Sequence, residues 1–501
     1  MLNFNDARLA QADIHNASAL LITSTTWAQV STLDPQRWAA VVPIAGGSLD
    51  LQGGVVDISA GVGVGLAGGR ISNGTLLSTS DTPLHHDRFV QSELVNVVLE
   101  TPLVVSNGHV DIRDSEIYRT SIDARGGHVL LHEDNRLDRA ALLGRVTTAR
   151  ANLDVFGDLE INGELHVGGN FSSTLTFFGD SGLTGQGRMK IDADYQPQGV
   201  FTTIHLQGSR FNVGEQAHLD IHDNTTIEGI GAEFVNRGRV TAWHDVNVDA
   251  NVYTFVNHGH VQLRHATLNI QGNTFINHSG GKFTGVGSVN VQGRTFINEG
   301  IISPGLSTGQ LAFDSNLFLS PSGVFQITLD IEPDHLAVDG DVQLGGVLEI
   351  TFGEDFAPDI GAVFDVITAQ GDVSGAFDTV VVDHPHPVSA VVGVEGNVVQ
   401  LHVAGLLGDM NLDGVIGTAD VAAFVQALTD PQAYMIHFGV DEATMIALGD
   451  INQDGAFDTA DVAPFVQLLV SGGSPSVPEP GSLALLGLGA MMLLRRVRQV
   501  P

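Results

Sequence analysis

A three-residue phrase of phenylalanine, a β-branched residue and asparagine recurs four times in residues 232–302 and restricts the possible folds. The copies lie 21, 20 and 21 residues apart: Phe234-Val235-Asn236, Phe255-Val256-Asn257, Phe275-Ile276-Asn277 and Phe296-Ile297-Asn298. A repeat of this length is too short for a pair of helices, and its β-formers and glycines do not suit a coiled coil. It suits one turn of a β-solenoid, in which short strands separated by tight corners stack turn upon turn. The sequence therefore predicts an all-β parallel β-helix.

Both fixed positions of the phrase have a structural interpretation. Equivalent residues of stacked parallel turns lie about 4.8 Å apart, so the phenylalanines are expected to form an aromatic stack inside the coil. The asparagines are expected at a corner, where asparagine tolerates left-handed backbone angles and stacked amides hydrogen-bond along the ladder. We favour this interpretation over a ligand-binding asparagine row, because a solenoid needs such rows merely to form.

The charge balance of the chain limits its partners. There are 57 acidic residues against 22 basic ones, a formal net charge of -35, and Lys190 and Lys282 are the two lysines. Such a balance argues against nucleic acid or an anionic membrane surface as a partner and favours divalent cations. The chain contains no cysteine, which excludes disulfides and thiolate metal sites.

Strand-like alternation extends the predicted solenoid to both sides of the repeat. Short alternating apolar runs separated by glycine begin near residue 46. We predict a lead-in at residues 1–40, a parallel β-helix at 41–302 and a β-rich end or cap of the solenoid at 303–404. Within the β-helix, the segment Asp81–Arg88 contains a His-His-Asp cluster and is expected to be a projecting loop.

The two ends of the predicted solenoid carry different signals. Residues Met1–Asp13 lack the basic region, apolar core and cleavage site of a secretion signal. We therefore expect the chain to begin inside a longer protein or at a start codon chosen too late.

At the other end, Ser303-Pro304-Gly305 and the segment Asp334–Ile350 resemble the closing region of autotransporter-like passenger domains and of bacterial surface β-helix proteins. This resemblance implies a cap that covers the unpaired backbone of the last turn.

Residues 405–471 contain two acidic loops that fit one template for binding a hard cation. Ten acidic residues occur there, with no lysine or arginine. In each loop, oxygen-bearing side chains alternate at positions one, three and five, glycine follows at six, position seven offers its carbonyl, and aspartate closes the loop at twelve. We predict two Ca²⁺ ions, with ligands Asp409, Asn411, Asp413, Val415 and Asp420 in the first loop and Asp450, Asn452, Asp454, Ala456, Asp458 and Asp461 in the second.

The paired loops closely resemble a type I dockerin module, because each leads straight into one apolar helix, at Val421–Leu428 and at Val462–Val470. The resemblance implies a small all-α module in which two loop-helix halves surround two Ca²⁺ ions and which docks onto a cohesin-like protein. Two features depart from the family: Gly417 replaces a polar residue at position nine, and the insert Thr429–Leu448 lengthens the repeat interval to 41 residues. We expect ion binding and folding to be one event, because the carboxylates repel each other without metal.

The last segment, residues 472–501, combines a linker, a short motif, an apolar run and terminal arginines. Val477-Pro478-Glu479-Pro480 precedes the apolar run Leu483–Leu494, and three arginines follow within 495–498. As a helix the run spans about 18 Å, less than the roughly 20 residues that a membrane crossing needs. This order resembles the PEP-CTERM sorting signal of Gram-negative bacteria. The resemblance implies a C-terminal hydrophobic helix held transiently in the inner membrane, recognition by exosortase, and export to the cell surface or extracellular space.

The candidates for catalysis are Asp192 and Asp194, which share a strand face near Lys190 and Tyr195. A hydrolase needs two carboxylates at a defined separation, and a lyase needs a base. We interpret the pair as exposed strand residues, because no second cluster in fixed register accompanies them. The sequence thus predicts an exported, non-catalytic surface or matrix β-helix protein with a calcium-dependent docking module. Two alternatives stay open: a polysaccharide-degrading enzyme, either glycoside hydrolase or polysaccharide lyase, and a protein that binds extracellular polysaccharide without catalysis.

Overall fold

The structure is a computed structural model, and the chain in it divides into two compact units. The first comprises Met1–Phe325, Leu336–Gly346 and Ala369–Ala376, and the second comprises the remainder. The residues described are 2–4, 8–9, 20–23, 27–29, 42–45, 48–51, 53–58, 64–86, 89–168, 172–192, 202–222, 225–243, 247–272, 274–305, 309–330, 333–353, 356, 362–383, 388–413 and 415–472.

The described residues form short strands along almost the whole chain, followed by four helices. The strands up to residue 192 are β1 Leu2–Phe4, β2 Arg8–Leu9, β3 Leu20–Thr23, β4 Trp27–Gln29, β5 Val42–Ala45, β6 Ser48–Asp50, β7 Val55–Asp57, β8 Val64–Leu66, β9 Arg70–Leu77, β10 Leu84–His86, β11 Gln91–Glu100, β12 Leu103–Val105, β13 His109–Arg113, β14 Glu116–Tyr118, β15 Ser121–Asp138, β16 Ala141–Phe156, β17 Leu159–Ile161, β18 Glu164–Gly168, β19 Ser173–Phe178, β20 Ser181–Thr184 and β21 Arg188–Asp192. The later strands are β22 Thr202–Gln207, β23 Arg210–Val213, β24 His218–Ile221, β25 Thr225–Asn236, β26 Arg239–Trp243, β27 Asn247–Asn257, β28 His260–Ile270, β29 Thr274–Asn277, β30 Lys282–Asn298, β31 Ile301–Pro304, β32 Gln310–Leu319, β33 Val324–Leu329, β34 His335–Val338, β35 Val342–Leu344, β36 Val347–Phe352, β37 Val363–Ala369, β38 Val373–Gly375, β39 Thr379–Asp383, β40 Val388–Glu395 and β41 Val398–Gly405. The helices are α1 Asp420–Thr429, α2 Pro431–Phe438, α3 Glu442–Gly449 and α4 Val462–Gly472.

The strands of the first unit pair in parallel, each with the equivalent strand of the next coil, so the predicted β-solenoid is confirmed. The pairing already begins within the predicted lead-in, where β1 pairs with β3 and β3 with β5. In the repeat region the register matches the phrase copies residue for residue, from β25 through β27 and β29 to β30. Each coil thus supplies the hydrogen-bonding partner of its neighbour, and the coil itself is the connection that parallel strands need.

The phenylalanines of the repeat stack inside the coil, as predicted. The ring centroids of Phe234 and Phe255 are 4.5 Å apart, those of Phe255 and Phe275 4.8 Å, and those of Phe275 and Phe296 4.5 Å, with interplanar angles of 18°, 9° and 10°. All four rings are fully buried. Because each ring packs on the next at the spacing of the strands, the stack fixes the register of the coils.

The asparagines form a buried amide ladder beside this stack. Asn236 Nδ2 donates to Asn257 Oδ1 at 2.8 Å, Asn257 Nδ2 to Asn277 Oδ1 at 2.7 Å, and Asn277 Nδ2 to Asn298 Oδ1 at 2.7 Å. The second N–H of each amide donates to a backbone carbonyl of a later coil, such as that of Lys282 for Asn257. None of the four side chains is exposed. The asparagine amides therefore hydrogen-bond along the ladder, as the structural interpretation of this row predicted.

The backbone conformation of the four ladder asparagines does not explain why asparagine occurs at this position. Each asparagine ends a strand, as expected for a corner, but none of the four uses the left-handed backbone that asparagine tolerates. Left-handed asparagines occur elsewhere, at Asn73 and Asn96. In the repeat, asparagine is therefore present for its side-chain amide, which pairs along the ladder, and not for its backbone tolerance.

The expected loop at Asp81–Arg88 is wrong for its central residues. Leu84–His86 is strand β10, which pairs in parallel with β8 and β12. The His86 side chain is completely buried, with Nδ1 2.9 Å from the carbonyl oxygen of Leu66 and Nε2 3.0 Å from that of Val90. The imidazole thus completes backbone hydrogen bonding inside the coil and is not available as a metal ligand.

Tight backbone approach explains part of the glycine content. Gly285 has φ 119°, and a Cβ atom there would collide with the carbonyl of Leu263 in the preceding coil. A side chain at this position would thus meet both backbone strain and a steric clash.

The strands of the second unit include an antiparallel hairpin. Strand β36 pairs with β39 in parallel, whereas β41 pairs antiparallel with both β37 and β40. Glu395 pairs with Val398 across a two-residue Gly396-Asn397 turn in which Gly396 has φ 60°. A Gly-Asn loop between two alternating runs is a hairpin signal that the sequence contained. Within the described residues, no helix combines the length and apolarity needed to cross a bilayer.

We expect solenoid stability to fall as the pH drops below 6.5, in part because of His260. Burial, followed by the nearby Arg239 and Lys282, lowers the pKa of His260 from 6.5 to about 4. Between these values the unfolded chain binds a proton that the folded chain does not, so the free energy of unfolding decreases as pH falls. His260→Gln should reduce this slope in urea unfolding measured from pH 7 to pH 4. An unchanged slope would contradict the assignment.

Candidate metal centre

The first acidic loop, residues 409–420, folds around its own carboxylates. Asp420, the closing residue, is completely buried, and its Oδ1 and Oδ2 accept from the backbone N–H groups of Asn411 at 3.1 Å and Gly417 at 2.8 Å. Asp409 Oδ1 accepts from Asp413 N at 3.2 Å. Direct hydrogen bonds thus tie position twelve of the template to positions three and nine, and position one to position five.

The second loop, residues 450–461, repeats these contacts at equivalent positions. Asp461 is completely buried, and its carboxylate accepts from Asn452 N at 3.0 Å and Asp458 N at 2.9 Å. Asp450 Oδ1 accepts from Asp454 N at 3.1 Å. Two loops 41 residues apart in the sequence therefore share one backbone arrangement, which matches their shared template.

Position four of each loop shows a feature that the sequence template did not include. Leu412 has φ 60° and Gln453 has φ 59°, both in the left-handed region that non-glycine residues rarely adopt. The glycine at position six of the second loop, Gly455, has φ 90°, as the sharp turn requires. The equivalent Gly414 lies outside the described residues. These left-handed positions turn the chain sharply within each loop.

Two helices follow the loops where they were predicted. Helix α1 begins at the closing residue Asp420 and α4 directly after Asp461. Phe424 of α1 and Phe465 of α4 stack at 4.0 Å with an interplanar angle of 3°. The two loop-helix halves thus share one small core, which also contains Met410 and Leu448.

The insert between the halves contains two helices that were not predicted. Asp430 accepts a hydrogen bond from Ala433 N at the start of α2, and Asp441 accepts one from Thr444 N at the start of α3. The insert also contributes Tyr434, whose hydroxyl donates to the carbonyl oxygen of Met410 at 2.9 Å. Burial, together with the charges of Asp409 and Asp420, raises the pKa of Tyr434 to about 12.

The loop residues suit a hard cation in the type and order of their oxygens. Each loop offers carboxylates at positions one, five and twelve and an amide oxygen at three, the set that Ca²⁺ prefers. Among the described residues, no three His, Asp or Glu side chains already converge as a metal site. Many of the carboxylate oxygens instead accept backbone N–H bonds, as Asp458 Oδ1 does from Ala460 N at 2.6 Å. Calcium ligation by these loops remains a prediction.

The candidate catalytic side chains lie outside the described residues. Asp192 is the last residue of β21, and its side chain lies outside the described residues, as do Asp194 and Tyr195. The sequence prediction for this pair is therefore untested.

The open cavities with described linings are shallow and polar. One, of about 500 Å³, crosses successive coils and includes Asp134 and Asp154.

The comparison with known families finds a match at the C-terminus. Residues 476–499 match the PEP-CTERM protein-sorting motif. This signal is recognised by exosortase, and it implies export to the cell surface or extracellular space. The predicted apolar helix Leu483–Leu494 lies outside the described residues. A search of curated proteins gave no significant match. The chain is thus an exported β-solenoid protein with a PEP-CTERM signal.

Proposed function

We propose that the chain is a non-catalytic surface or matrix protein whose paired acidic loops bind two Ca²⁺ ions and form a docking module. The carrying observation is that both loops adopt the same hydrogen-bonded arrangement around a completely buried closing aspartate, Asp420 or Asp461. A buried carboxylate without a cation partner is costly, so a bound cation would stabilise this arrangement. The β-solenoid then acts as an extended spacer. The partner that the dockerin resemblance implies for the module is a cohesin-like protein.

Equilibrium dialysis with ⁴⁵Ca²⁺ tests the calcium part of this proposal. The full chain should bind two ions, and the double variant Asp420→Asn/Asp461→Asn should bind neither tightly. The matched control is Asp430→Asn/Asp441→Asn, which removes two carboxylates of the same module at helix N-caps, where asparagine also caps well. Equal loss of calcium in both variants, or no binding to the unmodified chain, would overturn the proposal.

A cleavage assay tests the absence of catalysis. The full chain is incubated with neutral and acidic polysaccharides, with and without Ca²⁺, and reducing ends and the absorbance of unsaturated products are followed. The proposal predicts no products. Cleavage that disappears in Asp192→Asn or Asp194→Asn would instead establish the polysaccharide-degrading alternative, because those are the candidate carboxylates.

A further inference from the structure

One outer face of the solenoid carries cations on three successive coils. The register of strands β26, β28 and β30 aligns Arg239 with His260 and Lys282, and it aligns Trp243 with Arg264. We call these five residues the cationic face. With coils about 4.8 Å apart, its charges span about 10 Å along the solenoid. Lys282 is exposed, and the other four side chains are half-buried.

The cations of this face are held by neutral groups. Arg239 Nη2 donates to Gln262 Oε1 at 2.7 Å, and Arg264 Nε donates to the same oxygen at 3.3 Å. The Arg264 guanidinium also lies over the Trp243 ring, 4.1 Å from its centroid. Among the described residues, no carboxylate oxygen lies within the 4.0 Å of an ion pair from Arg239, Arg264 or Lys282.

Several arginines elsewhere on the solenoid pair with carboxylates. Arg210 pairs with Glu233 at 2.6 Å, Arg125 with Asp123 at 2.6 Å and Arg188 with Asp220 at 2.9 Å. In a chain with a net charge of -35, three cations on adjacent coils without an ion pair to a described carboxylate are a local concentration of positive charge. Its positive charges are pre-positioned by Gln262 and Trp243, and they are free to attract an anion.

We propose that the cationic face binds an acidic polysaccharide chain laid along the solenoid axis. The spacing of the cations on successive coils suits an extended polymer with repeated carboxylates, and the side chains of Gln262 and Thr284 offer hydrogen-bonding groups for hydroxyls. Nucleic acid is disfavoured, because single strands are bound largely by stacking their bases on aromatic side chains, and the Trp243 ring of this face is covered by the Arg264 guanidinium. This inference goes beyond the proposed function and does not depend on calcium binding.

The test is direct binding of polygalacturonate to the full chain in EDTA, so that calcium cannot bridge protein and polymer. Neutral dextran and a single-stranded DNA oligonucleotide serve as comparison ligands. With about three contacts, affinity for polygalacturonate should fall by about twentyfold between 50 and 200 mM NaCl, by analogy with counterion release from a single strand. Dextran should not bind, and DNA should bind more weakly than polygalacturonate.

A matched pair of variants locates the binding site. Arg239→Gln/Lys282→Gln removes two cations of the face and should weaken polygalacturonate binding at least about tenfold. Arg125→Gln/Arg210→Gln removes two exposed, carboxylate-paired cations and should change it less than about twofold. Lys282→Gln alone, at an exposed position, should weaken binding about threefold even if the double variant is unstable. No binding, equal loss in both double variants, or tighter binding of DNA would each overturn the proposal.

Discussion

Asn277→Leu is expected to lower the free energy of unfolding of the solenoid by about 3–6 kcal/mol, because three buried groups lose their partners. These are one N–H of Asn257, Oδ1 of Asn298 and the carbonyl oxygen of Ile301. Leucine is close to asparagine in size, so the loss arises mainly from hydrogen bonding and not from a cavity. Urea unfolding of the full chain, followed by tryptophan fluorescence, measures the change.

The matched control is Asn236→Leu at the first position of the ladder. Asn236 Oδ1 is buried and already lacks a hydrogen-bond partner, since Val213 occupies the preceding coil. Its replacement removes that unsatisfied atom but leaves Asn257 Oδ1 and the carbonyl oxygen of His260 without this donor, so we expect a smaller net loss of about 1–3 kcal/mol. Equal effects at both positions would show that the ladder does not act through its amide bonds.

Calcium is expected to raise the stability of the helical module by about 2.7 kcal/mol per ion when the free ion is at 100 times its dissociation constant. Asp461→Asn should remove the stabilisation that one bound ion contributes. In EDTA the same change should cost only about 1 kcal/mol, because the Asp458 N–H loses its carboxylate acceptor. Thermal unfolding followed by far-UV circular dichroism reports helices α1–α4 and separates the two conditions.

Asp441→Asn is the control for this comparison. Asp441 caps α3 through Thr444 N and lies outside both loops, and asparagine preserves the cap. Its gain in stability on adding calcium should equal that of the unmodified chain. If Asp461→Asn shows the full gain as well, the ion does not bind through the second loop.

Periodicity made the solenoid predictable from sequence. The phenylalanine and asparagine rows repeat at fixed intervals, so their stacking follows once the turn length is recognised, and the structure confirms both. The buried position of His86 was missed, because a histidine pair beside an aspartate is typical of a solvated loop. Only the parallel register with β8 and β12 shows that β10 continues the coil.

Other features were present in the sequence as local signals and were not used. Asp430-Pro431 combines an N-cap with proline at the first helical position, and Asp441 is the N-cap of α3. The cationic face was not predictable, because Arg239, Arg264 and Lys282 are far apart in sequence. The strand register brings them onto one face, and that register depends on coil lengths that differ from turn to turn.

The measurement that tests the calcium-binding account most directly is amide hydrogen exchange of the full chain with and without Ca²⁺. The account predicts slower exchange in loops 409–420 and 450–461 and in the helices that follow them, with the solenoid strands unchanged. Asp420→Asn/Asp461→Asn should abolish the protection. Calcium that protects no part of these loops, or that protects the solenoid instead, would contradict the account.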